Sequence, residues 1–258
     1  MAETMSVDGQ TVVRLTSDGS SAEVDLVGAR LLDFSFAGRP YWTPGAVGGG
    51  DLAVLDADAR VAPLVAGDAL WRVADHTGGT LTLITDSDDL PCVPAIVFSV
   101  GSWGLVVAHA ITNSSDRPVT VGIAAQVHPH AGDTPVLSVV GEAPEHCGDL
   151  VGAESAAVPG RATAGAEFDV LVGGARTVPG GHITHQLAFG GDRAGDGMRI
   201  WGDEDFAWTR AVSGGDTVRL ELRTHVAGGA PPAWVIDPGQ SRGLYWGLQP
   251  FEAHAPKS

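Results

Sequence analysis

Residues 104–130 read GLVVAHAITNSSDRPVTVGIAAQVHPH, and the reading of this stretch decides the fold. Residues 104–112 and 119–127 are apolar runs rich in Val and Ile, side chains that pack well on a pleated, half-buried surface. Between them Asn113-Ser114-Ser115-Asp116-Arg117-Pro118 supplies strand breakers and turn formers together. The pattern predicts a long β-hairpin whose second strand runs into His128-Pro129-His130.

The same pattern continues in both directions. Residues 11–15 and 22–26 alternate around Asp18-Gly19, a two-residue hairpin signal. Residues 31–36 alternate before Ala37-Gly38-Arg39-Pro40, and residues 71–74, 80–85 and 95–100 repeat the pattern. Downstream come 183–189, 198–201, 217–223 and 243–248. No stretch holds a helical period for more than about three turns. The Ala/Gly/Pro-rich segment 151–181 reads as long loops on one face. Nothing divides the chain, so the expectation is a single all-β domain over 1–258. Its architecture would be a large antiparallel β-supersandwich with few or no helices.

Composition agrees and narrows the partners. Apolar residues make up 44% of the 258, ample for a large core, and 36 glycines and 16 prolines are spread along the chain as turns require. The formal charge is −16, with Lys257 the one lysine beside fourteen arginines. Such a surface repels phosphate backbones and anionic lipid, which argues against nucleic-acid and membrane partners. No apolar run approaches the roughly 20 residues of a spanning helix, and the start lacks a basic, then apolar, leader. Cys92 and Cys147 fit no metal-ligand spacing. These features predict a soluble cytoplasmic protein with reduced thiols, monomeric or homodimeric.

The hairpin resembles a signature of the aldose 1-epimerase (galactose mutarotase) family. In that family a strand ending in "TN.S..P" turns back into one closing on His-Pro. Other pieces follow in order. Gly28-Ala29-Arg30-Leu31 resembles the opening "GA.L" strand, Ala57-Asp58-Ala59-Arg60-Val61 the "anRi" segment, and Trp71-Arg72-Val73 the "W.v" strand. Glu167-Phe168-Asp169 resembles "fDf", Leu220-Glu221-Leu222-Arg223-Thr224 the "iEp.T" strand, and Asp237-Pro238-Gly239 the closing "PG". The resemblance implies a β-supersandwich with a sugar, or sugar-like substrate, on a concave face, and no metal or cofactor.

By the same resemblance His128 is the acid and Glu221 the base of anomer interconversion. Arg60, His130 and His185, at family positions, would contact the substrate, and Trp201 offers an aromatic ring on which a sugar could stack. The chemistry suits these residue types. An imidazole of ordinary pKa near 6.5 gives and retakes a proton at neutrality, and a partly buried carboxylate accepts one. Asp237 and Glu252 are rival bases, and Trp208 and Trp246 rival stacking residues. Read without the resemblance, His128 is equally a histidine closing a strand, and Glu221 one polar position of an alternating strand. The chain departs from the family in lacking its second histidine, in showing Thr184 or His185 near the place of its sugar-binding aspartate, and in carrying His130 after His-Pro.

Three other functions fit parts of the sequence. One is a hexose-phosphate epimerase drawing on Arg60, Arg161, Arg176 and Arg223. Another is a metal-dependent enzyme built on His128 and His130, with His146, Cys147, His182 or His185. A third is a non-catalytic carbohydrate-binding or pathway-accessory protein on the same scaffold.

Overall fold

A computed structural model describes residues 3–7, 10–55, 61–65, 67–85, 90–130, 136–139, 160–163, 168–173, 182–189, 196–214, 217–224 and 234–252. They contain no helix and form twenty-one strands. In chain order these begin with β1 (Glu3–Val7), β2 (Gln10–Ser17), β3 (Ser20–Asp25), β4 (Arg30–Phe36) and β5 (Arg39–Pro40). Next come β6 (Gly49–Leu55), β7 (Val61–Pro63), β8 (Arg72–His76), β9 (Thr80–Ile84) and β10 (Cys92–Gly101). The long hairpin is β11 (Gly104–Asn113) and β12 (Val119–Val127), followed by β13 (Val136–Val139), β14 (Gly160–Thr163) and β15 (Phe168–Gly173). The last are β16 (His182–Ala188), β17 (Asp196–Asp203), β18 (Trp208–Gly214), β19 (Thr217–Arg223), β20 (Trp234–Ile236) and β21 (Ser241–Glu252).

The local turns form for the reasons their residues give. Asp18 and Gly19 both take positive φ, 48° and 80°, as do Ala37 and Gly38 at 50° and 74°. Two successive left-handed residues make the turn whose twist matches that of its flanking strands. At the "TN.S..P" turn, buried Asn113 is the hub. Its amide nitrogen donates to the carbonyls of Arg117 and Ile236, each at 2.7 Å, and its oxygen accepts from the Ser115 amide and hydroxyl at 2.9 and 2.8 Å. One side chain thus closes the β11–β12 hairpin and ties it to β20. The "GA" motif is also conformational. Gly28 (φ 75°) has no room for a Cβ, which would lie 2.6 Å from the Gly67 carbonyl.

The strands form three antiparallel sheets. Five run β1-β2-β3-β4-β5, nine run β14-β13-β16-β17-β21-β11-β10-β9-β8, and seven run β15-β18-β19-β12-β6-β7 with β20 also on β12. Their inner faces share one apolar cluster, to which Leu15, Ile200 and Leu220 each bring a different sheet. The nine- and seven-stranded sheets lie face to face. A Cβ on Gly202 of β17 would approach Leu222 of β19 to 3.3 Å. His185 of β16 hydrogen-bonds the Thr209 hydroxyl of β18 across the interface at 2.9 Å.

One expectation fails here. The segment 151–181, read as loops, contains β14 and β15, because pairing with β13 and β18 makes strands of runs too short to stand alone.

Candidate functional site

β12 and β19 pair with Gln126 opposite Glu221 and Val127 opposite Leu220. Ala125, Val127, Leu220 and Leu222 are buried in the core. Alternation then sends Gln126, His128, Arg219, Glu221 and Arg223 to the outer face of the seven-stranded sheet. Extending this register by one residue beyond β12 would set His128 level with Arg219 and make Glu221 its diagonal neighbour, at about 7–8 Å by general sheet geometry. The charges of Arg219 and Glu221 both act on the His128 ring. On the other side of β19, β18 places Arg210 opposite Glu221 and Trp208 opposite Arg223, both half-buried.

Glu221 lies beneath two arginines. Its side chain is 6% exposed, whereas those of Arg219 and Arg223 are 38% and 27% exposed. Arg219 Nη2 stands 3.1 Å from Oε1. Arg223 donates from Nε at 3.0 Å and also from Nη2, both to Oε2. Each carboxylate oxygen is therefore engaged by a different guanidinium.

His128 is held from behind. Its carbonyl accepts from the Thr43 amide at 2.8 Å, and the His130 amide donates to the Tyr41 carbonyl at 3.0 Å. The Thr43 hydroxyl donates to the Pro129 carbonyl at 3.0 Å. Buried Trp42 meets the His128 ring edge-on, with centroids 5.8 Å apart, and its own indole nitrogen donates to the Ala46 carbonyl at 3.0 Å. Gly48 makes this packing possible, since a Cβ there would lie 2.3 Å from Trp42 and 2.6 Å from the Gln126 carbonyl. Burial first, then the Arg219 charge, lowers the pKa of His128 below its ordinary value, and the Glu221 charge opposes them. Nε2 of His128 and Nε of Arg219 are buried and make no hydrogen bond among the described residues. Such atoms suit a site that a polar ligand completes.

The other expected site residues do not gather here. His130 follows His128 and is half-buried. His185 is fully buried on the inner face, and burial drives its pKa down to about 4. The seven-stranded sheet separates it from Glu221 and from the face that carries His128. Trp201 neighbours the inward-facing Ile200 and Gly202 and so points to the far surface of the nine-stranded sheet. There it packs edge-on against half-exposed Tyr245, at 5.8 Å. Glu221 and Trp201 thus leave the sandwich in opposite directions. Trp246 is a core residue whose indole donates to His109 at 3.1 Å. Of the three tryptophans, Trp208 borders the site.

Asp237 is exposed in a turn after β20, at the end of β12 remote from His128. Glu252 ends β21 in the other large sheet. Arg60, His146, Cys147 and Arg176 lie outside the described residues. No group of three His, Cys, Asp or Glu side chains suited to a metal ion occurs among the described residues, and no helix there is long and apolar enough to cross a membrane. Sequence reasoning missed Arg210, because strand 208–214 went unread, and the bracing of His128 by Trp42 and Gly48. The alternation of Trp208, Arg210 and Val212 was the available signal for the first; the second had none, being a contact between distant segments.

No family model matches the sequence, and no curated protein does. Solved structures do match in shape. A galactose mutarotase-like protein from Clostridium acetobutylicum superposes with a TM-score of 0.74 at 10% identity, covering 98% of each chain. One from Lactobacillus casei gives 0.70 at 13% identity, covering 93% of this chain and 100% of that one. A GalM/aldose epimerase homologue from C. elegans gives 0.70 at 12% identity, covering 95% and 100%. At such identities it is the architecture that is shared, and on this evidence the chain has the galactose mutarotase-like fold.

Proposed function

We propose that the protein interconverts the anomers of a sugar without a cofactor, with Glu221 as base and His128 as acid. The reading is supported most by strand alternation, which turns both side chains to one face, beside buried nitrogens of His128 and Arg219 that make no hydrogen bond among the described residues. Glu221 takes the proton of the anomeric hydroxyl as the C1–O5 bond breaks, and His128 delivers a proton to O5. The anomeric carbon becomes an aldehyde and rotates about C1–C2. Reclosure then returns both protons in reverse, giving the other anomer. The ring oxygen is a leaving group that stays attached, so positioning and two proton transfers suffice. Half-buried Trp208 offers an apolar ring for the sugar's C–H face.

Magnetisation transfer between the anomeric proton resonances of a panel of aldoses tests this, with and without protein. Exchange accelerated on at least one aldose is the expected result. No acceleration on any aldose, with binding still detected, would leave the scaffold a carbohydrate-binding one.

A further inference from the structure

A ligand approaching Glu221 from solvent meets arginine first. The carboxylate is nearly covered, and Arg219 and Arg223, both more exposed than it, lie against its two oxygens. As the site stands, both oxygens are engaged, so the proton acceptor is geometrically occupied. The two guanidiniums are not held equally. Arg223 makes a two-point contact with Oε2 and is the less exposed. Arg219 touches Oε1 through one nitrogen, is the more exposed, and keeps a buried Nε without a hydrogen bond among the described residues. Arg219 also lies on the His128 side of Glu221, so Oε1 is the oxygen that would face a sugar held between the pair.

We propose that this site selects sugars bearing an anionic group, carboxylate or phosphate, because that group draws Arg219 off Glu221 and uncovers Oε1. The inference rests on the reading of Glu221 as the proton acceptor. A guanidinium exchanges one oxyanion for another with little loss, since its planar fork matches carboxylate and phosphate alike. A neutral sugar offers no such exchange and would have to break the ion pair uncompensated. Arg223 stays in place and holds the carboxylate in its orientation, so the two arginines have different tasks. The chain's overall charge of −16 opposes the approach of an anion. Selectivity therefore comes from contact rather than long-range steering, and should survive ionic strengths at which the Debye length is about 8 Å.

The test measures binding by calorimetry and turnover by anomeric exchange, with D-galactose, D-galacturonate and D-galactose 6-phosphate. The wild-type protein should bind at least one anionic sugar about tenfold or more tightly than galactose, and whichever anion is preferred identifies the group. Arg219→Gln should abolish that preference in kcat/KM and raise kcat on galactose. Arg223→Gln should lower kcat on all three sugars. Equal binding of neutral and anionic sugars by the wild type overturns the inference, however fast anomers exchange. Charge-selective binding without exchange upholds the ligand class and overturns the mutarotase reading instead. An Arg219→Gln variant that folds, judged by its melting temperature, yet keeps the anionic preference also overturns it.

Discussion

At the scale of residues, His128 sits between opposed influences. Burial and Arg219 push its pKa below 6.5 while Glu221 pulls it up, and the net displacement is downward. If the imidazolium is the acid, kcat/KM should rise as the pH falls from 8 toward 6, because the protonated fraction grows only as pH approaches the lowered pKa. Arg219→Gln removes one depressing charge and should move that limb to higher pH. A flat profile over this range in both proteins would exclude His128 as the acid. His128 and Glu221 each stand in a short motif, and strand alternation turns both to one face. The arginine cover over Glu221 was half legible. Alternation put residues 219, 221 and 223 on one face, but which partner each oxygen takes is set by side-chain geometry. Neither a residue type nor a motif position says which sheet face a side chain occupies, and the structure puts Trp201 and His185 away from the Glu221 face.

At the scale of elements, two small features position the site. Asn113 makes four hydrogen bonds that join β11, β12 and β20. Asn113→Ala removes the buried donor to the Ile236 carbonyl and both acceptor contacts to Ser115, while the Arg117 carbonyl keeps the Ser115 hydroxyl. It should destabilise the protein by about 2 kcal/mol, read by chemical denaturation. A loss under about 1 kcal/mol would show that water replaces the side chain. Gly48 lets Trp42 reach the back of His128. Gly48→Ala places a methyl 2.3 Å from the Trp42 ring and 2.6 Å from the Gln126 carbonyl, so one of them must move. We expect a cost of about 1–3 kcal/mol and a fall in kcat larger than at Gly38, whose added Cβ meets nothing within 4 Å. Equal effects at the two glycines would remove Trp42 from the positioning of His128. Strand identity was legible for the long hairpin and for most alternating runs, though β6, β15 and β18 went unread. Strand order was not: β11 lies beside β21, more than a hundred residues on, and no local pattern carries such a pairing.

At the scale of the whole molecule, the core holds two histidines as neutral groups. His109 and His185 are fully buried, and burial lowers each pKa to about 4. The Trp246 indole donates to His109 Nε2, which requires that nitrogen to be unprotonated. In the unfolded chain both imidazoles take protons from about pH 6.5 downward; in the folded protein they do so only near pH 4. Their contribution to stability is therefore complete above 6.5 and lost as pH falls toward 4, on the order of 2–3 kcal/mol each. The melting temperature should drop steeply between pH 6.5 and 4.5, and less steeply in His109→Gln or His185→Gln. An unchanged slope in both variants would mean that other groups govern acid unfolding.

Polarimetry decides whether His128 and Glu221 together interconvert anomers on the outer face of the seven-stranded sheet. Freshly dissolved α-D-galactose, α-D-glucose and an α-anomer of an anionic sugar would be followed with wild type, His128→Asn and Glu221→Gln, all after chelator treatment. Wild type should accelerate equilibration of at least one of them. The acceleration should survive chelation and fall about 10²- to 10⁴-fold in each variant while the melting temperature shows both to be folded. Acceleration that persists in either folded variant would contradict that role for the pair.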